Sequence, residues 1–305
     1  MAQHPFSPDV ERTAIALAYR PDGLIADRVL PRSRVGRRQF TYTEHDRQSL
    51  TLIPNTRIGR KSAAEQIEFG SREIEARAKS YGLSCVIPND DEQNAPPNNR
   101  PSDNAVTALL DLIALDRERR VANLVFGAAT YGTNTGTPNT KWSTAATSKP
   151  ITDLMSARDA CVKKPNKLVL GKSVWATLST HPKVVEAVRG ITENGVVSPE
   201  QIAQMLGISE VIVGESWADS APKGKTSVRA DLWGKHAAFL HVAADPTVKG
   251  GAPTFGLTAE YKGRRVLNRP VTIGLDDGVE YLVGEDVAEL IIAPDLGYLL
   301  TDVIA

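Results

Sequence analysis

Apolar positions along the chain change period several times, and each change marks an element. Ile74, Ala76 and Ala78 alternate with Glu73, Glu75, Arg77 and Lys79, a period of two that turns one face of a strand inward. Ala, Glu, Arg and Lys also favour helices. A helix would set Ile74 beside Ala78 and leave Ala76 opposite, so the strand accounts for the pattern better. Gln39 to Thr43 has the composition of a second strand. Between the two, Glu44 to Glu65 is polar and carries Pro54, Arg57, Gly59, Arg60 and Lys61. The pattern predicts two long strands joined by a charged tip. Such a ribbon has little core of its own and is marginal in water without a partner surface.

From Asn104 to Phe126 the period lengthens, with Val106, Leu109, Leu110, Ile113, Val121 and Leu124 at steps of three and four. A helix of that extent spans roughly 35 Å. Pro101-Ser102-Asp103 opens it, with Ser102 or Asp103 as cap, and Gly127 stops it. The cluster Asp116 to Arg120 interrupts the apolar face and is expected to meet solvent or a neighbouring molecule. Residues 127–149 form a Gly-, Thr-, Asn- and Ser-rich loop around Trp142, long for a compact domain.

Beyond Pro150 short helices and strands alternate. Helices are predicted over Ile151–Lys163, Ser173–Leu178, His181–Arg189 and from Ser198-Pro199-Glu200 through Leu206. Strands are predicted over Lys167–Leu170, Val211–Val213, Ala237–Val242, Leu267–Ile273, Tyr281–Val283 and Ala288–Ile292. The fold class is therefore α+β. Residues 1–27 hold Pro5, Pro8, Pro21 and Gly23 around one apolar run, Ala14–Tyr19. This arm, like the hairpin, is expected to pack on a neighbouring subunit rather than on its own, because residues 1–80 carry too little apolar periodicity for a core.

Composition narrows the function. The 305 residues are 41% hydrophobic, enough for a sizeable core, and Lys+Arg and Asp+Glu both number 36. Zero net charge argues against wrapping nucleic acid globally, since such proteins show a basic excess on the contact face. The two cysteines, Cys85 and Cys161, lack metal-site spacing and read as small buried apolar residues in a reducing compartment. No basic start with an apolar run, and no apolar stretch approaching 18 residues, predicts a signal peptide or a membrane span.

Candidate chemistry falls away on inspection. Gly171-Lys172-Ser173 follows a strand and precedes a helix, but the glycine that a phosphate loop needs five residues earlier is Asn166. Gly224-Lys225-Thr226 fails likewise at Asp219. Gly214-Glu215-Ser216-Trp217-Ala218 lacks the second glycine of a nucleophile elbow. His236 and His241 sit five apart in a strand-like segment, on opposite faces, and read as ordinary surface or core histidines. Asp90-Asp91, Asp276-Asp277 and Glu285-Asp286 are adjacent pairs in turn contexts, where carboxylates are usually solvated rather than catalytic. No catalytic, cofactor or metal residue is expected.

The arginine run Arg28, Arg32, Arg34, Arg37 and Arg38 is the densest charged feature and reads either as a nucleic-acid contact or, better, as a ladder of bidentate pairs to carboxylates of neighbours in an assembly. Arg57, Arg60 and Lys61 stand together with no acid between Thr56 and Ala64. Carboxylates for them are expected from a neighbour's Asp90-Asp91-Glu92, Asp116 or Glu118.

The run Tyr19-Arg20-Pro21-Asp22-Gly23-Leu24-Ile25-Ala26-Asp27-Arg28-Val29-Leu30-Pro31 resembles the opening of Hong Kong 97-like major capsid proteins of tailed bacteriophages. Leu168-Val169-Leu170-Gly171 followed by Trp175, His181-Pro182 and Val184, and Ala293 to Leu300 near the end, are similar to passages of the same family. The order of parts matches over nearly the whole chain. The resemblance implies an N-terminal arm (1–27), an extended loop (28–88) and a peripheral domain (89–149) with a spine helix (104–126). An axial domain (150–252) and return strands (253–305) complete it. It further implies a non-enzymatic, self-assembling homo-oligomer, without cofactors, forming hexamers and pentamers of an icosahedral virion capsid around double-stranded DNA.

Implied partners are other copies, portal, scaffolding and decoration proteins, and genomic DNA by weak non-specific contact. No membrane is implied, and synthesis is in the host cytoplasm. Some members join a loop lysine to a neighbour's asparagine; Lys61 lies near that place, with no partner identified. The chain begins at the arm, so scaffolding is expected from elsewhere. The alternatives are a cellular nanocompartment shell of the same fold and a two-lobed cytoplasmic enzyme.

Overall fold

The computed structural model describes residues 5–45, 53, 56–58, 60, 64, 66, 71–96, 99–190, 195–221, 224–248, 252–273 and 276–305. The chain opens with β1 (Ser7–Pro8), α1 (Val10–Ala18), α2 (Ala26–Val29) and β2 (Arg32–Arg34). Next come β3 (Gln39–His45), β4 (Ser71–Arg77), β5 (Lys79–Pro88), α3 (Asn89–Gln93) and α4 (Pro101–Val125). The middle holds β6 (Thr135–Gly136), α5 (Pro150–Asp159), β7 (Lys167–Gly171), α6 (Lys172–Ser179), α7 (Pro182–Arg189) and α8 (Pro199–Leu206). Strands β8 (Glu210–Gly214), β9 (Trp217–Asp219), β10 (Arg229–Asp231), β11 (Ala237–Leu240), β12 (Gly256–Ile273), β13 (Asp276–Ile291) and β14 (Gly297–Leu300) follow.

Two five-stranded sheets organise these elements. The first runs β1-β12-β13-β5, with β2 parallel to β12; the second runs β6-β14-β11-β7-β8. In β7, Leu168 and Leu170 face one cluster with Leu154, Leu178, Ile202 and Phe239, while Val169 faces another with Ile212, Trp233 and Leu240. A strand whose successive side chains point to opposite faces must be apolar throughout when both faces are covered. That is why Leu168 to Gly171 reads as an unbroken buried run.

Helix α4 joins the two sheets. Val106, Leu109, Leu110 and Ile113 pack with Ile87, Val266, Tyr281 and Val283 of the first. Val121, Ala122 and Val125 pack with Val169 and Ile212 of the second. Its 25 residues give about 37 Å of rigid span. The helix starts at Pro101 rather than at a cap on Ser102 or Asp103. Glu92 serves the start of the helix instead, accepting from the Ser102 amide at 3.2 Å and its hydroxyl at 2.8 Å.

Four further expectations change. The arm lies on its own subunit: Ala16 is fully buried, the Asp9 amide donates to the Val266 carbonyl, and Thr13 exchanges hydrogen bonds with the Val266 backbone. Polar bonds to β12 do what apolar periodicity did not foreshadow. The block 28–88 divides, because β3 pairs with β4 as an antiparallel hairpin whereas β5 belongs to the first sheet beside β13. The predicted short strands after residue 253 are a single long hairpin of β12 and β13, interrupted by register shifts between Glu260 and Arg265. Cys85 and Cys161 are half-buried rather than buried.

Candidate assembly surface and its charged hub

Where the two sheets meet on α4, the helix carries buried charge. Glu118 is fully buried, and its carboxylate accepts from the Ile25 amide (3.0 and 3.1 Å), the Ala26 amide (2.8 Å) and the Trp233 indole N–H (2.6 Å). Ser216 adds a longer hydroxyl contact at 3.4 Å. A buried carboxylate is tolerated only when its oxygens are served this way. The neighbouring Arg117, 3% exposed, pairs with Asp27 at 2.5 Å and donates to Thr258 Oγ1 at 3.0 Å. Two adjacent residues of one helix thus hold residues 25–27, Trp233 and β12 together.

Glu118 was expected at the surface, in contact with a neighbouring subunit; it lies in the core instead. Its position explains this. Leu110, Ala114, Glu118, Ala122 and Val125 fall on one buried stripe of α4, so Glu118 occupies a core step of the helix. Residue type pointed outward while spacing pointed inward, and spacing was the informative signal. Asp116 stays half-exposed but pairs with Arg119 and Arg120 of its own helix.

The hub also explains two glycines of the motifs that fail as phosphate loop and nucleophile elbow. Gly171 and Gly214 are paired across β7 and β8. A Cβ on Gly171 would overlap the carbonyl oxygens of Trp233 and Gly234, and one on Gly214 would overlap the Trp233 ring. Both are glycine so that Trp233 can lie on the sheet and reach Glu118, not to cradle a phosphate.

The arginine run is divided by the structure. Arg32 pairs with Glu285 (2.7 Å), Asp27 (2.9 Å) and Glu260 (3.4 Å). Arg28 pairs with Glu210 at 2.9 Å, and Arg38 reaches Ser80 and Asp286. These three have carboxylate partners within the chain. Arg34 and Arg37 are exposed. Burial acts to raise the Asp27 carboxyl, but Arg117 and Arg32 outweigh it and hold the group below its ordinary value of 3.8. For Arg32, burial opposes the charge, yet Glu285 and Asp27 push its pKa up.

Hairpin β3–β4 contributes Phe40, Tyr42 and Ala76 to the edge of a cluster built on Leu257, Ala259 and Leu290. Its outer residues Gln39, Thr41, Glu73 and Glu75 are exposed, as are Arg57 and Arg60 beyond it. Lys61 lies outside the described residues.

Other titratable groups have structural partners. His181 Nε2 meets Ser148 Oγ at 2.9 Å, His236 Nδ1 accepts from the Asp302 amide, and His241 Nδ1 meets the Lys164 carbonyl. Burial pushes the Cys161 thiol up to about 12. Among the described residues no group of three His, Cys, Asp or Glu could hold a metal ion, and no helix is long and apolar enough to cross a membrane.

Comparison with known proteins agrees with this architecture. The family described as phage major capsid protein E matches residues 125–270. The major capsid protein of Pseudomonas phage JBD67 is 36% identical over 313 residues, covering all of both chains. A phage-related protein from Bordetella bronchiseptica RB50 superposes with a TM-score of 0.76 at 21% identity, over 98% of each chain. The capsid of cyanophage P-SCSP1u superposes with a TM-score of 0.56 at 13% identity, over 98% of this chain and 89% of that one. The solved structures show the Hong Kong 97-like fold. On its full-length likeness to the Pseudomonas phage protein, the chain belongs to the family of phage major capsid proteins.

Proposed function

We propose that this chain is the head subunit of a tailed phage, assembling as hexamers and pentamers into an icosahedral shell around double-stranded DNA. The hairpin of β3 and β4 carries the reading. It pairs along seven residues from Gln39–Arg77 to His45–Ser71, yet among the described residues only Phe40, Tyr42 and Ala76 of it settle against its own subunit's core cluster. A ribbon so poorly covered suits a neighbour's surface. Arg34, Arg37, Arg57, Arg60 and Lys61 are the cations assigned to such contacts. Closed symmetry repeats each contact around the shell, so weak pairs add up.

Portal, scaffolding and decoration proteins and non-specific DNA contact belong to the same reading, as does synthesis in the host cytoplasm before incorporation into the virion. The parts correspond to an arm over 1–27, an extended loop drawn from 28–88, a peripheral domain over 89–149, an axial domain over 150–252 and returning strands over 253–305. Electron microscopy and sedimentation of the purified protein test the proposal. Closed shells or capsomers are expected, and a population of small compact particles at every concentration and salt would overturn it.

A further inference from the structure

The register shifts of β12 border a cleft of about 530 Å³ beside the end of α1 and the start of β2. Arg20, Arg32, Arg34 and Arg264 line it against two carboxylates, Asp27 and Glu260. The lining therefore carries an excess of two positive charges. Glu285 pairs with Arg32 at 2.7 Å and lies 3.8 Å from Arg264, while Arg117 pairs with Asp27, so counting these two further groups leaves the excess at two.

The arrangement is short of acceptors. Arg32 Nη2 is buried with no hydrogen-bond partner. Arg264 turns Nη1 to the Tyr19 carbonyl at 2.9 Å, and Arg20 turns Nη1 to the carbonyls of Leu17 and Tyr19. Among the described residues Arg34 has no ion-pair or hydrogen-bond partner, and its guanidinium is exposed at the rim. Burial and the nearby Arg32 depress the Arg264 pKa, as expected where guanidiniums crowd without enough counter-charge.

The complementary feature is α3. Asp90, Asp91 and Glu92 stand in sequence in its first turn; Glu92 is committed to Ser102, while Asp90 and Asp91 are exposed with no cation partner among the described residues. Helix α3 lies on β5, β13 and α4 of its own chain, and none of these lines the cleft. Two unpaired carboxylates match the excess of two positive charges. The resident Asp27 and Glu260 disfavour a polyphosphate backbone, which seeks a continuous basic track. Exposed Leu17 at the rim suits the edge of a protein element.

We propose that this cleft is an intersubunit carboxylate socket, filled in the shell by Asp90 and Asp91 of a second copy of the chain. The inference rests on the assembly reading above and adds the contact that fixes where one copy meets the next. Electrostatic complementarity of this kind selects the correct partner and register.

Charge exchange tests it on the full-length protein. Arg20→Glu with Arg34→Glu leaves the internally bonded Arg32 and Arg264 in place, and Asp90→Lys with Asp91→Lys alters only exposed positions. Each pair alone should lower the yield of shells by about tenfold or more, since like charges then face each other. All four together should return the yield to within about twofold of wild type. A quadruple variant no better than the weaker pair overturns the socket. So does normal shell yield from the arginine pair with only DNA retention reduced, which would make the cleft a phosphate site.

An oxidised Arg34→Cys, Asp91→Cys chain, with Cys85 and Cys161 replaced by Ser, gives an independent reading. Covalent oligomers are expected in shells and not in dissociated subunits; intact shells without them overturn the proposal. Absence of shells from the wild type would remove the assembly reading, and the socket with it.

Discussion

Glu118→Ala is the sharpest test of the charged hub. The wild-type carboxylate serves the Ile25 and Ala26 amides and the Trp233 indole, all at 3.1 Å or less. Truncation strands these three donors in a core with no replacement acceptor. A buried unsatisfied donor costs about 1–3 kcal/mol. Release of a desolvated charge offsets part of the sum. The net expectation is a loss of about 3–6 kcal/mol, at the upper end for single substitutions. Glu118→Gln keeps one oxygen for the side holding Trp233 but turns an amide N–H₂ towards the Ala26 donor, so about 1–3 kcal/mol is expected. Urea unfolding of the unassembled subunit measures both, and the coupling with Trp233→Phe isolates the indole bond. An alanine variant within about 0.5 kcal/mol of wild type would refute the hub's role.

Three further outcomes follow from the same geometry. Gly214→Ala should cost about 1–3 kcal/mol by overpacking against Trp233, and less in the Glu118→Gln background, as urea unfolding can show. Replacing Arg57, Arg60 and Lys61 together by Ala should lower the thermal disassembly midpoint of shells, more at low salt than at high salt, while the subunit stays folded; equal midpoints at both salts would count against the tip as a contact. Burial, then Lys183, holds the His181 imidazole below 6.5, so the native state keeps it neutral. Its contribution is therefore complete above 6.5 and lost as pH falls from there through the depressed folded value, and His181→Asn should flatten that part of the melting-temperature profile.

Legibility in the sequence followed the strength of local signals. The hairpin of 39–45 with 71–77, the long helix and the run Lys167 to Gly171 were readable from strong local signals: alternation in Glu73–Lys79, three- and four-residue steps in the helix, and an unbroken apolar run. Ser198-Pro199 correctly opened α8, where Ser198 and Gln201 form a reciprocal cap. The arm was misplaced because the attachment of its first part is polar and long-range: Asp9, Thr13 and Ser7 bond to Val266 and Asn268, some 250 positions away, and no local pattern encodes that. The joined length of β12 and β13 was hidden by the charged stretch Glu260 to Arg265, where the ladder shifts register. The hub was hidden by a rule of thumb, since a charge cluster usually means solvent, although the spacing of Glu118 from Ala114 and Ala122 already placed it inside.

Retention of the arm on its own subunit moves the burden of assembly elsewhere. Ile25, Ala26, Val29 and Leu30 are buried at the junction, and Asp27 between them is shared by Arg32 and Arg117. Prising the arm away would expose that apolar patch and leave Arg117 buried without its carboxylate, a cost of the kind that makes breaking one half of a buried pair expensive. Recruiting the arm by exchange would carry that cost, so a neighbour meets a surface already set. What that surface offers is cationic at Arg34 and Arg37, which have no ion-pair partner among the described residues, and exposed along the outer face of β3 and β4. Such contacts are directional and individually weak. A subunit whose interior charges are fixed by geometry can present those weak contacts in one orientation, which is the condition for identical copies to close a shell rather than aggregate.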